Sequence, residues 1–121
     1  MFIGHKALVS SAVFSQDGTQ VLSAGDTTAR VWDANSGKEL IVFRGHTDGV
    51  NSAVFSPDGK RVATASSDGT MRLWNAETGQ ALAEAHGNTA ILHTVAFSPD
   101  GQFIVTTSDD GSARIWDVSA L

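Results

Sequence analysis

Histidine and aspartate carry most of the reactive chemistry in this chain. There are four histidines, His5, His46, His86 and His93, and no cysteine. Imidazole and carboxylate are the groups a metal ion or a general base would need. No two of these histidines, however, stand at i, i+4 helical spacing or at the close loop spacing of metal ligands. The absence of cysteine excludes disulfides and thiolate metal sites. Asp17, Asp58 and Asp100 sit singly in turns and lack the alternating carboxylates of a calcium loop. Serine, histidine and aspartate are also the ingredients of a hydrolase triad, but no nucleophile elbow or glycine-rich oxyanion loop accompanies them. The expectation is a protein with no metal, no cofactor and no enzymatic activity.

Charge narrows the partners. The net charge is −5, and lysine and arginine are scattered singly. That pattern leaves no electrostatic footprint for nucleic acid or an anionic membrane. No apolar run approaches the roughly 20 residues of a membrane span. The N-terminal stretch MFIGHKALVSSAVF lacks an apolar signal region with a cleavage motif. A hydrophobic share of 41% is enough to pack a core. The reading is one soluble, cytoplasmic segment over residues 1–121.

The elements that hold these residues repeat. The stretch from Gly45 to Asn75, GHTDGVNSAVFSPDGKRVATASSDGTMRLWN, recurs forwards and backwards along the chain. Trp32, Trp74 and Trp116 fall at intervals of 42, and Phe14, Phe55 and Phe97 at 41 and 42. A period of roughly 40–45 residues with four strand-like segments marks propeller blades. The units run over about 4–44, 45–86 and 87–121. In each, a first strand (Val9–Phe14 in the first unit) leads to a tight turn: Ser15-Gln16-Asp17-Gly18, Ser56-Pro57-Asp58-Gly59 or Ser98-Pro99-Asp100-Gly101. Second strands follow at Val21–Ala24, Val62–Ala65 and Phe103–Thr107. They do not alternate polar with apolar, so both faces of each should be covered. Turns at Asp26, Asp68 and Asp110 lead into Thr28–Trp32, Thr70–Trp74 and Ser112–Trp116. Fourth strands are expected at Glu39–Phe43 and Ala81–Ala85, and the third unit has none of its own. Val31, Leu73 and Ile115 read as core. Arg30, Arg72 and Arg114, each two residues before a tryptophan, read as braces paired with carboxylates of the same or an adjacent blade.

At Gly45-His46, the Ser-Pro-Asp-Gly turn, the Ser-Asp-Gly turn and Trp74-Asn75, the sequence resembles the WD-repeat family of β-propellers. Gly4-His5 and Trp32-Asp33 fit a second repeat. The resemblance implies sheets radiating from a central channel, the first strand innermost, in a scaffold that holds other macromolecules together. It also implies a polar network inside each blade. By position the second unit supplies His46, Thr64, Asp68 and Trp74, and the first His5, Ser23, Asp26 and Trp32. The third departs, because Gly87 and Asn88 stand where histidine belongs. Asn88, Thr106, Asp110 and Trp116 remain, so its network should be incomplete or rewired through Asn88. A hydroxyl, histidine and aspartate that recur and end on tryptophan suit a repeated brace better than one active site. The Gly-His loops and aspartate turns share one end of the blades, the end where the family often binds partners. Partner-binding candidates there are Lys6, Thr47, Asp48, Ser67, Thr89 and Asp109. Ser10, Asn51 and His93, on the innermost strands, are expected at the channel mouth.

Three blades are fewer than the four to eight that usually close a propeller. Each end should bare a sheet face on the order of 300 Å², and covering both at one junction would contribute on the order of 10 kcal/mol before association costs. Met1-Phe2-Ile3 aligns with the end of an outer strand. Donated to another chain, it would complete the third blade beside the strand of Trp116. The fold class expected is therefore all-β: three four-stranded antiparallel blades per chain, the last completed by another copy's N-terminal strand, closed by oligomerisation. Such head-to-tail contacts close into rings, six blades from two copies or nine from three. Expected partners are other copies of the chain, and a protein or peptide. A second reading is a fragment or engineered building block with no dedicated ligand.

Overall fold

A computed structural model describes residues 9–86 and 90–119. Among them the regular structure is entirely extended. Eleven strands run β1 (Val9–Phe14), β2 (Gln20–Gly25), β3 (Thr28–Asp33), β4 (Glu39–Arg44), β5 (Val50–Phe55), β6 (Arg61–Ser66), β7 (Thr70–Asn75), β8 (Ala81–His86), β9 (Leu92–Phe97), β10 (Phe103–Ser108) and β11 (Ala113–Asp117). They form three antiparallel meanders, β1-β2-β3-β4, β5-β6-β7-β8 and β9-β10-β11. The third sheet thus has three described strands. Met1, Phe2 and Ile3 lie outside the described residues.

Turn chemistry explains where the strands stop. In the second unit Asp58 accepts from the Ser56 hydroxyl at 2.6 Å and the Lys60 amide at 2.9 Å, while the Gly59 amide donates to the Ser56 carbonyl at 2.9 Å. The turn then exits through Gly59 at φ 73°, a conformation costly for a residue with a Cβ. Gly45, between β4 and β5, is constrained twice. Its φ is 151°, and a Cβ there would lie 2.6 Å from Nη1 of Arg72.

The hydrophobic core lies between sheets. Leu22, Ala24, Ala29, Val31 and Phe43 of the first sheet pack against Val50, Ala53, Val62 and Trp74 of the second. Ala63, Ala65, Met71 and Leu73 of the second then pack against Leu92, Val95 and Ile104 of the third. Each inner strand therefore sits against the sheet before it: β5 meets β1, β2 and β3, and β9 meets β5, β6 and β7. β6 is buried on both faces, which explains its unbroken run of small and apolar residues.

The third sheet differs. β10 alternates between exposed and buried residues, since one of its faces has no neighbour among the described residues. Ile115 does not belong to the core. It is 74% exposed, whereas its counterparts Val31 and Leu73 are at 0%. Phe103 and Val105 are exposed beside it. At the opposite end Phe14 is 70% exposed, while Phe55 and Phe97, at the same position, pack against the preceding sheet.

Candidate functional site

The second sheet carries a buried chain of hydrogen bonds across its strands. Trp74 on β7 donates its indole N–H to Thr64 Oγ1 on β6 at 2.9 Å. The indole is donor-only, so the threonine hydroxyl is left to donate onward, and His46 Nε2 lies 2.6 Å away. His46 then donates Nδ1–H to Asp68 Oδ2 at 2.9 Å. Asp68 also accepts from the Thr47 amide at 3.1 Å, the Thr70 amide at 2.9 Å and the Thr70 hydroxyl at 2.6 Å. One direction of donation satisfies every member, and it requires neutral His46 with the proton on Nδ1.

The electrostatics agree with that proton count. Burial pushes the His46 imidazole below its ordinary pKa, against the pull of Asp68. Burial alone would raise Asp68, but the bonds from Thr70, His46 and the two backbone amides hold it down at about 2. The chain also ties two sheets together. The His46 ring meets Trp74 edge-on at 6.2 Å, and Trp74 packs against Phe43 of the preceding sheet at 5.7 Å.

The other two sheets contain parts of the same arrangement. In the first, Trp32 donates to Ser23 Oγ at 2.8 Å, and Asp26 accepts from the Thr28 amide at 3.0 Å and hydroxyl at 2.7 Å. In the third, Trp116 donates to Thr106 Oγ1 at 3.1 Å, and Asp110 accepts from the amide and hydroxyl of Ser112. His5 and Asn88 lie outside the described residues. His86 does not enter the third network. It sits at the end of β8, exposed, with Nε2 2.7 Å from Glu84. Arg30 pairs with Glu39 at 2.8 Å and Arg72 with Glu84 at 3.2 Å, both within one sheet, while Arg114 is exposed.

Ser10, Asn51 and His93 share a feature that residue type does not disclose. The register slips by one residue at each, so each is the extra residue of a bulge in its sheet's first strand. A bulge re-aims the side chain it carries. Asn51 Nδ2 donates to Ser67 Oγ at 2.9 Å and to the Leu92 carbonyl of the next sheet at 2.8 Å. His93 contacts Asp109 at the corresponding place in the third sheet, and both residues of that pair are exposed. Ser10 is exposed. The loop carrying Thr47 and Asp48 is fixed by its backbone: the Thr47 amide donates to Asp68, and the carbonyls of Asp48 and Gly49 accept from the Ser66 hydroxyl at 3.2 and 2.9 Å. Thr47 and Asp48 themselves stay exposed. Lys6 and Thr89 are outside the described residues.

The sequence sets three tryptophan–hydroxyl bonds in register, one in each sheet. It matches the WD domain, G-beta repeat over residues 1–33, 37–75 and 79–117. The chain belongs to the WD40 repeat family. Over 41 residues, 33% of this chain, it is 51% identical to the serine-threonine kinase receptor-associated protein of Gallus gallus, and that match spans 12% of the relative's length. WD40 repeats generally serve as protein-interaction scaffolds. Each WD40 match is out of phase with the sheets: residues 37–75 take in β4 of the first sheet and β5, β6 and β7 of the second.

Two roles were missing from the sequence reading. Thr28, Thr70 and Ser112 each support the aspartate two residues earlier, and that fixed offset was the available signal. Arg61 spans the junction between the second and third sheets, donating to the carbonyl oxygens of Gly101 at 3.0 Å and Val118 at 3.3 Å. Nothing in its own repeat marks it. Among the described residues no group of three or more histidines, aspartates or glutamates could hold a metal ion, and no helix is long and apolar enough to cross a membrane.

Proposed function

We propose that the chain is a non-enzymatic scaffold that binds a protein or peptide at the end carrying the Gly-His loops and aspartate turns. The observation that carries this reading is how the reactive groups are used. His46, Asp68 and Thr64 are occupied in one closed set of internal hydrogen bonds, with Thr64 fully buried. The loop they fix presents Thr47 and Asp48 to solvent, near the end that also holds Ser67, Asp109, Asn51 and His93. A preformed loop loses little conformational freedom when a partner docks, which favours affinity. Lys6 and Thr89 complete the candidate set by repeat position. The relative from Gallus gallus is named for association with a serine-threonine kinase receptor, and association rather than turnover is the role proposed here. The test is affinity capture with the chain and with an Asp48→Ala, Asp109→Ala variant, scored by mass spectrometry. Proteins enriched by the chain and lost from a variant of unchanged melting temperature support the reading. Identical captures from both, or labelling by a serine-hydrolase probe, would refute it.

A second reading concerns assembly. Val105 and Ile115 at one end and Val9 and Phe14 at the other are exposed at positions whose counterparts are covered inside the chain. These two faces are of the kinds that already pack together at both internal junctions. We propose that one copy's third blade packs on another's first, with Met1-Phe2-Ile3 supplying the fourth strand, to close six blades from two copies or nine from three. As a structural building block the chain would then need no other ligand. Multi-angle light scattering tests this, since a stable 12.7 kDa particle would rule it out.

A further inference from the structure

The two junctions between sheets differ at the end opposite the Gly-His loops. At the second junction Arg61, the first residue of β6, crosses to the third sheet. Its guanidinium lies over the Phe97 ring, 5.8 Å from the centroid, and donates to the Gly101 carbonyl at 3.0 Å. This places a delocalised cation on an aromatic face with an acceptor at its edge, an arrangement that suits arginine and not lysine.

At the first junction the corresponding residue is Gln20, which is shorter and uncharged. The other parts of the seat are repeated there. Phe55 stands where Phe97 does, and Gly59 stands where Gly101 does. Both line an open groove of about 750 Å³ between the turns of the first two sheets, with Gln20 in its wall. Asp17 and Asp58 also line this groove, and their carboxylates, held by hydrogen bonds within their own turns, lie below the usual range and stay charged. The groove therefore offers an aromatic face, a glycine carbonyl position and two anions, and lacks the cation that completes the equivalent place one repeat later.

We infer that this groove receives an arginine side chain from a peptide segment of a partner protein, which would take at the first junction the position Arg61 holds at the second. The two carboxylates attract the cation, the Phe55 face selects guanidinium over ammonium, and the exposed Val13 offers apolar contact to neighbouring residues of the peptide. Nothing in this seat depends on the Gly-His end, so the two sites are tested separately.

The probe is a pentapeptide with a central arginine flanked by serine and glycine, titrated into the full chain and followed by amide NMR shifts. Saturable shifts at Gln20, Phe55 and Gly59 are expected, with the lysine counterpart binding roughly tenfold more weakly. Gln20→Arg should abolish peptide binding, because it fills the seat from within. Phe55→Leu, which keeps the core apolar, should weaken binding severalfold if Gln20→Arg does not fold. Asp48→Ala should leave peptide binding unchanged. Equal binding of the arginine and lysine peptides, undiminished binding by folded Gln20→Arg, or no shift at these three amides would overturn the inference. So would the same shifts arising with protein concentration alone, since a second copy would then be the occupant.

Discussion

The second and third sheets are built on the same repeat pattern and end up in different physical states. The second is covered on both faces and contains a complete path of hydrogen bonds from Trp74 to Asp68. Among the described residues the third is covered on one face, and its tryptophan bond to Thr106 is longer, 3.1 against 2.9 Å. Leu73 and Ile115 are equivalent in sequence, yet one is sealed and the other lies open. Burial in this molecule is thus a property of having a neighbour, and only secondarily of the residue.

Substitution at the tryptophans gives the largest expected effect. Trp74→Ala should cost about 3–5 kcal/mol, as for a fully buried aromatic. Trp116→Ala should cost clearly less, because that ring is only half-buried. Urea unfolding of the two variants reads the difference, and equal losses would mean that the third sheet is as well covered as the second. Next comes the apolar pair. Leu73→Ala should destabilise by about 2–5 kcal/mol, whereas Ile115→Ala should stay within about 0.5 kcal/mol in dilute solution. A large loss at Ile115 that grows with protein concentration would instead report a covered face in an assembly.

The hydrogen-bonded path gives a smaller, pH-dependent effect. His46 is held below its ordinary pKa, so as pH falls the unfolded chain takes up a proton there before the folded chain does. Stability should therefore fall as pH drops below about 6.5. Asp68 is held at about 2 against an ordinary 3.8, so it adds a second loss as pH falls from about 3.8 towards 2. His46→Gln should remove the first slope and leave the second. Gly45→Ala should show a separate deficit of about 1 kcal/mol or more at every pH, from its backbone conformation and the displaced Arg72. Thermal melts across the pH range distinguish these variants.

Strand positions and turns were legible because they depend on local chemistry that recurs with the period. Ser56, Asp58 and Gly59 specify their turn without help from elsewhere. The strand expected at Val62–Ala65 is observed one residue longer at each end, as Arg61–Ser66. Ile115 reads as core because an apolar residue in the middle of a strand looks the same whether or not a further sheet covers it. The bulges at Ser10, Asn51 and His93 were hidden, since a slip in register leaves no mark in residue type. Arg61 was hidden for another reason. Its partners Gly101 and Val118 are 40 and 57 residues away, and its repeat counterparts are Gln20 and Phe103.

The offset between WD40 match and sheet has a consequence for how such chains grow. A tandem duplication copying residues 37–75 would start on the outer strand of an existing sheet and finish on the third strand of a new one. The inserted piece would bring with it the seam that joins it to what came before, made of contacts the chain already possesses. Lengthening by this route asks for no compensating substitution in the older repeats.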